Sequence, residues 1–96
     1  MLDNPQIEGF DWDKGNIDKN WISHEVTDRE CEEPFFDPHR KILRDTLHSE
    51  GEKRFLLFGK TEQYRLLCVT FTIRRNRIRV ISARDANRKE KPLYEE

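Results

Sequence analysis

Apolar and polar positions alternate most regularly between Arg65 and Arg84. Leu67, Val69, Phe71 and Ile73 recur at every second position, the period of a half-buried strand. Ile78, Val80 and Ser82 continue the alternation beyond Arg75-Asn76, so this stretch predicts a hairpin closed at those two residues. In the register of a two-residue loop, Ile73 faces Ile78, Phe71 faces Val80, Val69 faces Ser82 and Leu67 faces Arg84. Arg84 then lies on the core-side face at the rim of the sheet. Arg74, Arg77 and Arg79 lie on the opposite face with Thr70 and Thr72. A longer loop would redistribute the arginines between the faces.

The run Arg54 to Phe58 reads as a third strand, ended by Gly59 and joined to the hairpin by the polar loop Lys60 to Tyr64. Near the start, Phe10-Asp11-Trp12-Asp13 alternates aromatic and acidic residues, as a short edge strand would. Asp13 is then placed to cap a helix over Lys14 to His24, with Ile17, Trp21 and His24 along one side. Thr27 to Glu30 has the spacing of a capping box, with Val26 and Cys31 at the positions of a hydrophobic staple. Pro34 stops that second helix, and Phe35 and Phe36 are expected to fold back over the sheet. Pro38 to Glu52 has little period and reads as a loop, with an irregular edge strand around Ile42-Leu43. After Arg84, Asp85 is expected to cap a last helix from Ala86, carrying Ala86, Glu90 and Tyr94 on one face until Pro92 ends or kinks it. The sum is an α+β domain. It has a small antiparallel sheet, a three-stranded meander plus a short N-terminal strand, with two N-terminal helices and one C-terminal helix.

Composition changes this picture in two ways. The apolar share is 34% and the charged share 39%, yet six Phe, two Trp and two Tyr supply enough bulk for one core. Residues 1–96 are accordingly one domain. The net charge of −1 conceals segregation: Arg65 to Lys91 is strongly basic, and Asp28 to Asp37 mostly acidic. A basic sheet in a neutral chain suits a polyanion at one site and a partner elsewhere. Cys31 and Cys68 have no metal-ligand spacing, and Cys68 within a strand reads as a small apolar residue. No signal-peptide pattern opens the first ten residues and no stretch has the length of a membrane span, so a reducing cytoplasm is expected.

From Phe10 to Tyr94 the sequence resembles the BrnT family of toxins from bacterial type II toxin–antitoxin systems. The resemblance rests on Trp12-Asp13, Asn16 to Trp21 leading to His24 and Val26, Phe36-Asp37-Pro38, and Glu52 to Phe55 with Gly59. It continues through Arg65-Leu66-Leu67, Thr70 to Arg74, Ile78 to Arg84, and Ala86, Glu90 and Tyr94. Two positions depart from the family pattern: Ser23 stands where lysine is common, and Glu25 where glycine is common. The resemblance implies a RelE-like fold and a ribonuclease activity that arrests translation. It also implies a BrnA-type antitoxin with a ribbon-helix-helix DNA-binding part, bound in a hetero-oligomer.

Cleaving RNA through its own 2′-hydroxyl needs a proton acceptor, a cradle for charge on phosphorus, and a proton donor for the leaving oxygen. Arginine suits the cradle, because its planar fork matches two phosphate oxygens. Arg84 and Arg74 are the candidates for that role, with Arg54 beside them, and Arg84 would gain free backbone N–H groups from a helix starting after it. His24 is the candidate proton shuttle, since imidazole titrates near ~6.5. Lys19, Lys60 and Arg54 are candidates for RNA backbone contacts, and Tyr94 either stacks on a base or packs in the core. His39 and His48 read as surface residues. Each charge also has a plainer reading as a solvated strand or helix end. No metal site and no cofactor is expected, because neither a His-x-x-x-His nor a Cys-x-x-Cys pair occurs. A non-catalytic RNA- or partner-binding module, or a structural subunit of a repressor complex, would use the same scaffold.

Overall fold

The computed structural model describes residues 7–47 and 51–96. Its centre is the expected hairpin, with β3 over Leu66–Arg74 and β4 over Arg77–Asp85. Arg75 and Asn76 take φ of 51° and 64°, the left-handed pair that a twisted two-residue hairpin loop requires. From Arg74↔Arg77 to Phe71↔Val80 the register is the one the alternation predicts. It then shifts. Thr70 pairs with Ser82, leaving Ile81 without a partner, so Val69 faces Ala83, Cys68 faces Arg84 and Leu67 faces Asp85.

That β-bulge corrects the assignment of faces at the far end of β4. Ala83, fully buried, takes the core position expected of Ser82. Arg84 moves from the core side to the face of Thr70 and Thr72.

The hairpin continues a four-stranded antiparallel meander in the order β1-β2-β3-β4. Strand β2, Arg54–Lys60, runs on through Gly59 rather than ending there. A Cβ at Gly59 would lie 2.8 Å from the Pro34 carbonyl oxygen, so only glycine lets the strand pass this close. Strand β1, Lys41–Asp45, is regular, where only an irregular strand inside a loop was expected. The expected N-terminal strand is reduced to one parallel bridge, Phe10 to Ile78, along the outer edge of β4. Its hydrogen bonds run from Asp11 N–H to the Ile78 carbonyl and from Ile78 N–H to the Gly9 carbonyl, each 2.8 Å.

One face of the sheet carries the N-terminal helical segments. Helix α2, Asp28–Glu32, begins with the predicted capping box in full, and Val26 and Cys31 at its staple positions are both completely buried. Pro34 ends the α-helix as expected, and a 3-10 turn over Glu33–Phe36 follows. Phe35 folds under the sheet, edge-on to Phe71 at 5.0 Å and to Phe10 at 5.3 Å. Phe36 does not follow it and stays 75% exposed. Together with Leu57, Leu67, Val69, Ile78, Val80 and Ala83 these residues form the core.

Helix α1 is shorter than expected, spanning Lys19–His24, and residues 14–18 form turns. Asp13 caps those turns instead, its Oδ1 accepting from Gly15 N–H at 2.7 Å. The buried side is not the apolar one. Asn16 and Asn20 point inward, while Trp21 is 51% and Ile22 82% exposed. The reason lies in β4, an edge strand whose outward backbone groups are covered and need partners. Asn16 Nδ2 donates to the Val80 carbonyl at 3.1 Å, and Asn20 Oδ1 accepts from Ala83 N–H at 2.9 Å. A leucine at either position could do neither.

No helix begins after Arg84. The chain turns through residues 86–90, with Ala86 N–H bonded to the Leu66 carbonyl at 3.0 Å, and α3 spans only Lys91–Glu95. Pro92 sits in its first turn, where a missing N–H is harmless, so it starts this helix rather than breaking it.

Candidate functional site: the open face of the sheet

The face opposite the core carries Leu43, Leu56, Thr70 and Ser82 in one transverse row, and Lys41, Phe58, Cys68 and Arg84 in the next. Helix α3 packs against β2. Phe58 and Cys68 are buried at one end, and Thr72 is buried toward the other, its hydroxyl donating to the Lys53 carbonyl at 2.7 Å. Hydroxyls and arginines make up much of the rest.

Arg84 owes its place here to the bulge. Its Nη1 and Nη2 donate to the two carboxylate oxygens of Glu90 at 2.7 and 2.8 Å, a two-pronged ion pair. Glu90 is presented by the turn after β4: its N–H donates to Asn87 Oδ1 at 3.0 Å, and its Oε1 accepts from Asn87 N–H at 2.9 Å. The guanidinium holds the Glu90 carboxyl below the usual carboxylate range, and Glu90 in turn raises the arginine.

Lys60 closes β2 at the same end, opposite Leu66, with its ammonium 5.6 Å above the centre of the Tyr94 ring. The Tyr94 hydroxyl donates to Asp37 Oδ2 at 2.7 Å. Asp37 also accepts from the backbone N–H groups of Lys60 at 2.8 Å and His39 at 2.9 Å. Burial works to raise the Asp37 carboxyl, but these hydrogen bonds outweigh it and keep it low. Burial, reinforced by Asp37, pushes the Tyr94 phenol up to about 12.

Arg65 ties the rim to the helix layer. It forks onto Asp85 at 2.7 and 3.1 Å and donates to the carbonyls of Glu25 at 2.9 Å and His24 at 3.3 Å. Glu25 closes α1 with φ of 55°, the left-handed position glycine usually fills. The His24 side chain is exposed at this rim, on the helix side of the sheet.

Arg84 and Lys60 thus share one end of the open face, with His24 at the same end on the helix side. Arg74 and Arg54 stand on the open face near the other, with six residues of β3, about 20 Å, between the rows of Cys68 and Arg74. Arg74 forks onto Glu52 at 2.6 and 2.9 Å, and Arg79 onto Asp13 at 3.1 and 2.9 Å. Lys19 is exposed at the start of α1, the helix that His24 ends. Tyr94 is neither a free stacking ring nor a core residue, because its edge is fixed by Asp37. His39 is exposed as expected, and His48 lies outside the described residues. Glu90, Asp37 and Arg65 were not singled out by sequence reasoning for chemistry. Their partners lie across loops where no periodicity operates, and only the Phe36-Asp37-Pro38, Arg65-Leu66-Leu67 and Glu90 matches pointed their way.

The family model of the ribonuclease toxin BrnT, of type II toxin–antitoxin systems, matches residues 12–90. The chain belongs to the BrnT family. The match spans the bulged hairpin, the capping box of α2, Asp37 and the Arg84–Glu90 pair. Membership carries with it a ribonuclease toxin's RNA substrate and an antitoxin partner. No curated protein matches the sequence. Among the described residues, no helix is long and apolar enough to cross a membrane, and no three His, Cys, Asp or Glu side chains gather as a metal site.

Proposed function

We propose that this BrnT chain is a metal-independent endoribonuclease of the cytoplasm that arrests translation. A BrnA-type antitoxin with a ribbon-helix-helix DNA-binding part neutralises it in a hetero-oligomer. The observation that carries the reading is the β-bulge, which brings Arg84 onto the open face at the end that Lys60 closes. Arg84 grips the scissile phosphate, exchanging the Glu90 carboxylate for two phosphate oxygens. The ribose 2′-oxygen attacks phosphorus and gives up its proton, and the 5′-oxygen leaves with a proton supplied by the protein. His24 shuttles these protons at the rim. Lys60 meets an adjoining phosphate, and Arg74, Arg54 and Lys19 track the strand beyond the reacting centre. Purified protein incubated with RNA in excess chelator should produce fragments ending in 2′,3′-cyclic phosphate. Unchanged RNA under those conditions would remove the proposal.

One observation favours a second reading. The forks of Arg84 and Arg74 both already hold carboxylates. A module that binds RNA or a partner without cleaving would tolerate such neutralised arginines. Binding of RNA with no fragments, in chelator or in magnesium, would be its signature.

A further inference from the structure

A groove of about 550 Å³ opens beside Lys60, between the 3-10 turn and the β2–β3 loop. Two exposed rings line it, Phe36 from the turn and Tyr64 from the loop, and the fixed ring of Tyr94 lines it as well.

Tyr64 is the unusual one. It is 80% exposed, yet its backbone takes φ of 64°, a left-handed conformation that is strained for a bulky L-residue. The loop is not loose. Thr61 is buried, and its hydroxyl accepts from the N–H groups of Gln63 at 3.3 Å and Arg65 at 3.1 Å. Tyr64 N–H donates to the Thr61 carbonyl at 2.9 Å, and Arg65 beyond it is clamped by Asp85. The fold therefore holds an aromatic ring rigidly in solvent and gains no burial from it. Strain of this kind gathers where a ligand is received.

We propose that this groove receives a base of single-stranded RNA, stacked on Tyr64, next to the phosphate held by Lys60. The inference rests on the RNA reading above and adds a subsite to it. Base stacking tolerates sequence and needs an exposed, pre-set ring with a cation beside it. The lining also includes Glu33 and Glu62. Those carboxylates make the groove a poor seat for a phosphate but suit a base edge, whose N–H groups donate to them. A protein partner is the other class of molecule that uses exposed tyrosines. The acidic lining and the neighbouring Lys60 favour the nucleobase.

The test uses the full chain and a short 2′-O-methyl oligoribonucleotide, which binds but cannot be cleaved, followed by fluorescence anisotropy. Tyr64→Ala should weaken binding between about fivefold and a hundredfold, whereas Tyr64→Phe should bind as the parent does. An abasic oligonucleotide should bind parent and Tyr64→Ala alike. Tyr64→Gly relieves the backbone, so it should melt higher while losing the same affinity, which separates the role from folding. Unchanged affinity of Tyr64→Ala overturns the proposal, as does loss of antitoxin binding with RNA binding intact. Because the probe cannot be cleaved, an inactive protein would leave this measurement readable. A Tyr64→Ala variant that binds normally would conversely leave the ribonuclease reading standing.

Discussion

Arg84 is the residue on which most depends. It is partly exposed, and its replacement removes the ion pair with Glu90 and a 3.2 Å hydrogen bond to the Asp85 carbonyl, a modest loss of stability at the rim of the sheet. Arg84→Ala and Arg84→Lys should therefore fold normally and still bind the antitoxin. Both should lose about 3 kcal/mol of transition-state stabilisation, roughly a hundredfold in cleavage rate, because lysine keeps the charge but not the fork. A lysine variant of full activity would show that only general charge is needed. Glu90→Gln frees the same fork and should tighten RNA binding while slowing cleavage less than Arg84→Ala does; equal affinities would mean that Glu90 does not compete with phosphate. The asparagines under β4 work in the opposite sense, on stability and not on chemistry. Asn20→Leu leaves the buried Ala83 N–H without a partner and should cost about 1–3 kcal/mol in urea unfolding.

Among the elements, the hairpin and the capping box were legible because local rules govern both. Period-two alternation fixes which side chains of Leu67 to Ile73 share a face, and Thr27 and Glu30 reach each other within one turn. The bulge was not legible. Val80 and Ile81 are both apolar and Ser82 and Ala83 both small, so the alternation alone does not say which of them drops out of pairing. The first helix was misread for a related reason, since Ile17 and Trp21 lie at helical spacing but the edge of β4 demanded Asn16 and Asn20 instead. The candidate site suffered twice: the bulge decides the face of Arg84, and loops bring Glu90 and Asp37 to their partners. The bulged register has its own test. Cys68 faces Arg84 in it, so Arg84→Cys should form a disulfide with Cys68 on oxidation. In the regular register residue 84 faces Leu67, and no such bond would form.

For the whole molecule, charge pairing sets the pH range of stability. Asp13, Asp37, Glu52, Asp85 and Glu90 all have carboxyl pKa values lowered by folding. A lowered folded value contributes stability above the unfolded pKa of about 4, and that stability is lost as pH falls through the folded values. Tyr94 behaves oppositely: raised to about 12, it contributes fully below its unfolded value of about 10 and loses that contribution as pH rises toward the folded one. Burial pushes the Cys68 and Cys31 thiols up to about 11 and about 12, which adds to the alkaline loss. Thermal melts should show a plateau from about pH 5 to 8 with decline on both sides; a protein most stable near pH 3 would contradict these pairings. The central claim, that the open face cleaves RNA around Arg84 without a metal, has a more direct test. Single-turnover cleavage of RNA in excess chelator should proceed with the parent chain and fall about a hundredfold with Arg84→Lys at unchanged melting temperature. Cleavage that stops in chelator, or that continues undiminished in the lysine variant, would contradict it.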